Sequence, residues 1–340
     1  GDVLGVFTRL AEGAKMIEEG IKKETGAESA FMMHPIFGSL TCCPSNIGTG
    51  MRGSVHILVP KLIASIGFDA IDKMCRERNC QARGSSGEHS AVVDRIDVSN
   101  WRRIGFPEYE LVHDMIKCAN FLAEEEDKLP EPEPSKYIVE GTPEADAVDQ
   151  DFALVMNASL AKNEYPAAEL EAARAAEHTS LSSQFCTPEV WEQYKDTVSS
   201  GPAKWTLARA INSGTRYPSS FVGCHAGDSS SYDDFKDFFY PVIQAYHKGF
   251  DIETTKHVTD MDPSKISTTL SDTAKSKIIS TRIRVARNLS MFPLNPGASK
   301  ETRPQICDMM EKVYAAIDPA NDLAATCSVT PPCLTNSARA

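Results

Sequence analysis

The chain of 340 residues holds 41% apolar and 24% charged side chains, enough apolar surface for a packed core, and this excludes disorder throughout. A formal charge of −12 excludes a broad footprint for nucleic acid or anionic lipid and leaves room only for a focused anion site. The longest apolar runs, such as residues 62–68, are too short to span a bilayer, and ten scattered cysteines with no CxxC pair fit a reducing, cytosolic setting.

Along the chain, Leu4, Phe7, Leu10, Ala14, Ile17 and Ile21 recur at three- and four-residue steps and predict an amphipathic helix. No basic start or cleavage site of a secretory leader precedes it, and the absence of an initiator Met suggests a fragment or processed product. From Met51 the period becomes two: Met51, Val55, Ile57 and Val59 alternate with Arg52, Ser54 and His56, as in a strand with one apolar and one polar face. A helix is expected over 61–79, short strands around 81–83 and 95–98, and a long helix over 107–128. These interleaved elements predict an α+β layer, an antiparallel sheet flanked by helices.

Four prolines and an acid surplus between 129 and 150 read as an extended linker. Residues 150–248 predict a small all-α module, and a β-branched run at 278–284 announces a second α+β segment followed by another helix. The expected domains are thus 1–129, a linker at 130–149, an all-α domain at 150–258, the start of a second catalytic domain at 259–326 and an atypical tail at 327–340, the end of which has no helical or strand period.

Three stretches carry candidate chemistry. In Thr41-Cys42-Cys43-Pro44-Ser45-Asn46-Ile47-Gly48-Thr49-Gly50 a thiol sits in a turn rich in hydroxyls and backbone amides, which could hold Cys43 as a thiolate; a pair of buried structural thiols is the plainer alternative. The next strand fixes Arg52, Ser54 and His56 on one face, where a guanidinium can grip phosphate oxygens or simply face water. Arg83-Gly84-Ser85-Ser86-Gly87-Glu88-His89 joins an arginine to an acid through a pliable loop. No Walker pattern, Gly-x-Gly-x-x-Gly or His-Glu-x-x-His occurs, so the common nucleotide and zinc signatures support no rival enzyme.

Taken together, these motifs resemble those of the phosphagen kinases, the ATP:guanidino phosphotransferases that include arginine, creatine and taurocyamine kinases. The cysteine loop resembles the family's reactive-cysteine signature, with Arg52, Ser54, Val55 and His56 in register after it. Arg83-Gly84-x-x-Gly87-Glu88-His89 resembles the substrate-closing loop, and Asp97-Val98-Ser99-Asn100 the strand end that follows. Ser280-Thr281-Arg282-Ile283-Arg284 with Arg287 resembles the phosphate-binding arginines, and Ser213-Gly214-Thr215 through Val222-Gly223 the guanidino-specificity loop.

The order is the reverse of the family's, which implies a piece of a tandem, two-repeat enzyme: the end of repeat one, the linker and the beginning of repeat two, a contiguous dimer in the parent chain. The family's Asn-Glu-Glu-Asp carboxylate motif is then expected ahead of Gly1. The resemblance implies reversible transfer of the ATP γ-phosphoryl group to arginine or taurocyamine. The isolated chain is expected to be weakly active or inactive, and a non-catalytic nucleotide-binding scaffold is the alternative. ATP enters as Mg-ATP, with the metal held mainly through the nucleotide and no direct metal ligand assigned.

By the same resemblance Arg52, His56 and Arg83 belong to the ATP site of repeat one, with Cys43 and Glu88 as its catalytic pair. Arg282, Arg284 and Arg287 belong to the ATP site of repeat two, and Ser213, Gly214 and Thr215 to its acceptor site. The two arginine sets are expected in different active sites. Nucleic acid and membrane are not expected as partners.

Overall fold

The computed structural model describes residues 2–84, 94–130, 156–176 and 179–317. The chain divides into two compact units. One gathers Gly1–Glu12, Met51–Val148 and Val258–Val285; the other gathers Gly13–Gly50, Asp149–His257 and Ala286–Ala340. Six strands are described: β1 (Met33–His34), β2 (Gly38–Ser39), β3 (Met51–Leu58), β4 (Cys80–Arg83), β5 (Arg95–Asn100) and β6 (Ile278–Val285).

The first unit is built on a four-stranded antiparallel sheet in the order β4-β5-β3-β6. Alternation along β3 sorts its residues as the sequence predicts. Met51, Val55 and Ile57 are fully buried and share a core with Ile96 and Val98 of β5, Ala82 of β4 and Ile283 of β6. The helix Glu108–Lys128 covers that face with Leu111, Val112, Met115, Ala119 and Leu122, all at most 1% exposed.

The helix expected over 61–79 is two helices, Pro60–Ile66 and Phe68–Arg76. They are broken at Gly67, whose φ of +78° lies where a side chain would be strained. Glu126 is buried at the start of the first of these helices. Its Oε1 and Oε2 accept hydrogen bonds of 2.9 Å from the Lys61 and Leu62 N–H groups, donors that a helix N-terminus leaves unpaired.

Residues 258–285 come from far along the chain, yet they belong to this unit. The helix Glu108–Lys128 holds them with a row of polar side chains. Glu108 Oε2 accepts from the Asp260 N–H at 2.8 Å, and His113 Nε2 accepts from the Ser267 N–H at 3.0 Å. Asn120 donates to the Thr269 carbonyl and accepts from the Ser271 N–H, and Asp127 pairs with Lys277 at 2.7 Å. His113, Asn120 and Asp127 are seven residues apart, so they share one face of the helix. The segment ends in β6, which pairs with β3 from Met51 opposite Val285 to Ile57 opposite Ile278, with a register shift between His56 and Ile57.

The second unit is mainly helical, with a short hairpin formed by β1 and β2. Its core is aromatic: Trp191, Tyr232, Phe235, Phe238 and Phe239 are at most 1% exposed. The helix Leu207–Arg216 has a Thr206 N-cap whose hydroxyl accepts from the Arg209 N–H. A second capping threonine, Thr187, starts the helix Pro188–Tyr194. The linker and the tail lie outside the described residues.

Candidate functional site

The polar face of the four-stranded sheet follows from register alone, because directly opposed residues of antiparallel strands share a face. Arg52 of β3 stands opposite Arg284 of β6, Ser54 opposite both Arg282 and Ser99, and His56 opposite both Ser280 and Asp97. On β4, Arg83 faces Asp97. Arg52, Arg83, Arg282 and Arg284, from three strands, therefore share one surface with Asp97.

Arg52 Nη2 donates to Asp97 Oδ2 at 2.6 Å, and His56 Nε2 lies 3.7 Å from Asp97 Oδ1. Asp97 is 6% exposed. Arg52 reaches it along the strand past the opposed serines 54 and 99, both buried and small enough to leave room. Among the described residues, the buried Nε of Arg52 and Oδ1 of Asp97 have no hydrogen-bond partner. Burial, then repulsion from Arg282, Arg52 and Arg83, lowers the pKa of Arg284, with Asp97 opposing. Among the described residues this face therefore carries more cationic than anionic side chains, a condition that favours binding of a multiply charged anion.

The expectation that Arg52 and Arg83 sit in a different site from Arg282 and Arg284 is not what the sheet shows. Strand pairing depends on complementary edges and register, and β6 satisfies β3 over seven paired positions whatever its place in the sequence. Arg287 belongs to the helical unit, where Nη1 donates to the Thr49 carbonyl at 2.6 Å and the Ala286 carbonyl at 2.9 Å.

Cys43 belongs to the helical unit. It opens the turn Pro44–Asn46, and its Sγ lies 3.0 Å from Ser45 Oγ, a contact in which a hydroxyl can support a thiolate. The loop is pinned through its carbonyls: Tyr232 Oη donates to Thr41, the Ala226 N–H to Cys42 and His247 Nε2 to Pro44, at 2.7, 2.7 and 2.8 Å. Burial, reinforced by the neighbouring Cys43, pushes the Cys42 thiol up to about 11, so Cys42 stays protonated at neutral pH.

Ser213, Gly214 and Thr215 stand in the last turns of the helix Leu207–Arg216 rather than on an open loop. Ser213 and Thr215 are each 4% exposed, and the Gly214 N–H donates to the Gly223 carbonyl at 2.9 Å. A Cβ on Gly214 would come within 2.7 Å of that carbonyl oxygen, so only glycine permits the approach. Glu88 and the loop around it lie outside the described residues. Asp97 was quoted in the sequence as part of a motif and given no role. An acid alternating with apolar Ile96 and Val98 is the sequence signal that points to it.

Among the described residues no helix is long and apolar enough to cross a membrane, and no three metal-ligating side chains gather. The description "ATP:guanido phosphotransferase, C-terminal catalytic domain" matches residues 1–129, and "ATP:guanido phosphotransferase, N-terminal domain" matches residues 176–244. An arginine kinase of Anthopleura japonica is 31% identical over 90% of this chain and 37% of its own length. A taurocyamine kinase of Schistosoma mansoni is 30% identical over 89% and 36%, and a flagellar creatine kinase of Strongylocentrotus purpuratus 30% identical over 90% and 24%. The chain thus spans little more than a third of these relatives, or less. The solved substrate-free duplicated taurocyamine kinase of Schistosoma mansoni aligns over 65% of this chain and 28% of its own, at 26% identity and a TM-score of 0.26, too low to bear on the fold. With catalytic-domain and N-terminal-domain sequences both present, the chain belongs to the ATP:guanido phosphotransferase family.

Proposed function

We propose that this chain is part of an enzyme that moves the γ-phosphoryl group of ATP reversibly to a guanidino compound, arginine or taurocyamine, and that its sheet holds the nucleotide's phosphates. The observation that carries the reading is the row of Arg52, Arg83, Arg282 and Arg284 around one buried carboxylate. Phosphoryl transfer asks a protein mainly for alignment and charge neutralisation, and guanidinium groups fixed on strands supply both. The residues fit a polyphosphate, since the row is cationic and Arg52 keeps a buried N–H to give.

In this reading His56 lies toward the nucleoside. Mg²⁺ arrives with the phosphates and supplies further neutralisation when bound. Arg287, held at the Thr49 carbonyl, serves the phosphate site only if that bond is exchanged. Cys43 orients and polarises the guanidino group as a thiolate without forming a covalent bond, and Glu88 contacts the acceptor from its loop. For the acceptor we also propose the helix end that carries Ser213, Gly214 and Thr215. Its carbonyl terminus has the negative polarity that a guanidinium cation favours.

In the parent chain, residues 1–129 close the catalytic domain of one repeat, 130–149 link it onward, 150–258 form the next N-terminal domain and 259–326 begin its catalytic domain. The repeats make a contiguous dimer, placed in the cytoplasm. The order of the two matched descriptions along the chain, catalytic domain before N-terminal domain, supports the order of repeats.

Titration of the purified chain with ATP, alongside a phosphagen assay, tests the proposal. One ATP per chain is expected, with a dissociation constant about tenfold weaker in Arg52→Ala and little or no turnover. Two ATP sites, or affinity unchanged by that substitution, would count against the shared row; binding with no turnover by a complete two-repeat protein would favour a scaffold.

A further inference from the structure

We propose that Asp97 is a positioning residue of the arginine row, one that strengthens anion binding although it carries the same sign of charge as the anion. The inference rests on the phosphate reading of that face.

Three observations point to it. Among the described residues Asp97 is the acid that the strand register places on the polar face, and it is 6% exposed, so its charge is not there for solubility. Its Oδ2 takes the Arg52 Nη2 proton at 2.6 Å, the length of a strong charge-assisted bond, and Arg52 must stretch along β3 past Ser54 to make it. Arg52 also stands directly opposite Arg284, an arrangement that like charges resist. Without a carboxylate at its far end, the Arg52 side chain would regain its rotamers and swing away from Arg284 toward water.

Asp97 therefore fixes one guanidinium in the row at the cost of one negative charge, and leaves the Nε of Arg52 without a hydrogen-bond partner among the described residues. The second oxygen, Oδ1, has no hydrogen-bond donor among the described residues and lies 3.7 Å from His56 Nε2. The acid touches neither phosphate nor acceptor in this scheme; it acts through Arg52.

The role makes a prediction opposite in sign to simple electrostatics. Deleting a negative charge beside an anion site should tighten binding if charge alone matters, and should loosen it if the acid holds an arginine in place. The experiment is calorimetric titration of the full chain, and of its Asp97→Asn and Asp97→Ala forms, with ATP and with inorganic tripolyphosphate. Dissociation constants about tenfold weaker are expected for Asp97→Ala, with a smaller loss for Asp97→Asn, which keeps an acceptor for Arg52. In an Arg52→Ala background, Asp97→Ala should cause no further loss. Tighter or unchanged binding by both Asp97 variants, or an equal loss with and without Arg52, overturns the proposal.

A thermal melt identifies a variant that fails to fold, in which case Asp97→Asn and its double mutant decide. Slow exchange of the Arg52 guanidinium N–H signals in NMR spectra, lost in Asp97→Asn, is a second readout that needs no ligand. If the native chain binds neither ATP nor tripolyphosphate, the nucleotide reading fails, and these signals alone decide whether Asp97 holds Arg52. If ATP binds and the signals are unmoved by substitution, the nucleotide reading stands and this proposal fails.

Discussion

The arginine face of the sheet and the helix that carries Ser213, Gly214 and Thr215 both answer to motifs in the sequence, but they are built in opposite ways. On the sheet, Arg52, Arg83, Arg282 and Arg284 share a surface with Asp97, and among the described residues buried polar atoms of Arg52 and Asp97 have no hydrogen-bond partner. In the helix, small uncharged residues are packed to contact, Gly214 is bonded to Gly223, and Thr215 Oγ1 donates to the Asn212 carbonyl, while among the described residues the buried Ser213 Oγ has no hydrogen-bond partner. Charge gathered at a surface marks a place that gains from a charged ligand, whereas a close backbone contact between uncharged residues marks one that has already gained from folding.

The contrast can be broken most directly at Gly214. A methyl group there would meet the Gly223 carbonyl oxygen at 2.7 Å and Ser182 Oγ at 2.3 Å. Gly214→Ala should therefore destabilise the chain by about 3 kcal/mol, as overpacking does, while ATP affinity per folded molecule stays unchanged. A urea melt combined with a titration of the folded fraction checks both halves.

Arg284→Ala should do the reverse. ATP affinity should fall about tenfold, roughly 1.4 kcal/mol, while the melting temperature holds or rises, because repulsion with Arg52 and Arg282 is relieved. A fall in melting temperature would mean that the row contributes to the fold rather than opposing it.

The smallest effect concerns acid. Burial, with the Arg287 charge nearby, pushes His257 down to about 4 from its ordinary value of 6.5. Between those two pH values the unfolded chain binds a proton that the folded chain refuses, so the contribution of this group is complete above 6.5 and is lost as pH falls toward 4. Urea midpoints measured from pH 7 to 4 should decline less steeply in His257→Gln than in the native chain.

Much of the sheet unit was legible because its signals are local. The alternation of Met51, Arg52, Ser54, Val55, His56 and Ile57 states which face is wet, and the structure obeys it. Pairing between residues distant in sequence leaves no such trace: nothing near Ser54 announces that the Arg282 carbonyl, 228 positions away, will accept its hydroxyl. The seven-residue spacing of His113, Asn120 and Asp127 was visible, but its meaning depended on a partner segment without periodicity of its own. Ser213, Gly214 and Thr215 were read from a motif, and a motif does not state whether tertiary packing will continue a helix through it.

The order β4-β5-β3-β6 leaves β6 with one side unpaired among the described residues. A strand in that position offers its free peptide groups to any passing chain, and flat apolar edges recruit one another into aggregates. Here the exposed positions include Arg282 and Arg284, and the irregular step next to Ile279 bends the strand out of flatness. Charge at Arg282 and Arg284 disfavours such recruitment, and neutralising both together is expected to raise the tendency to aggregate along with weakening ATP affinity.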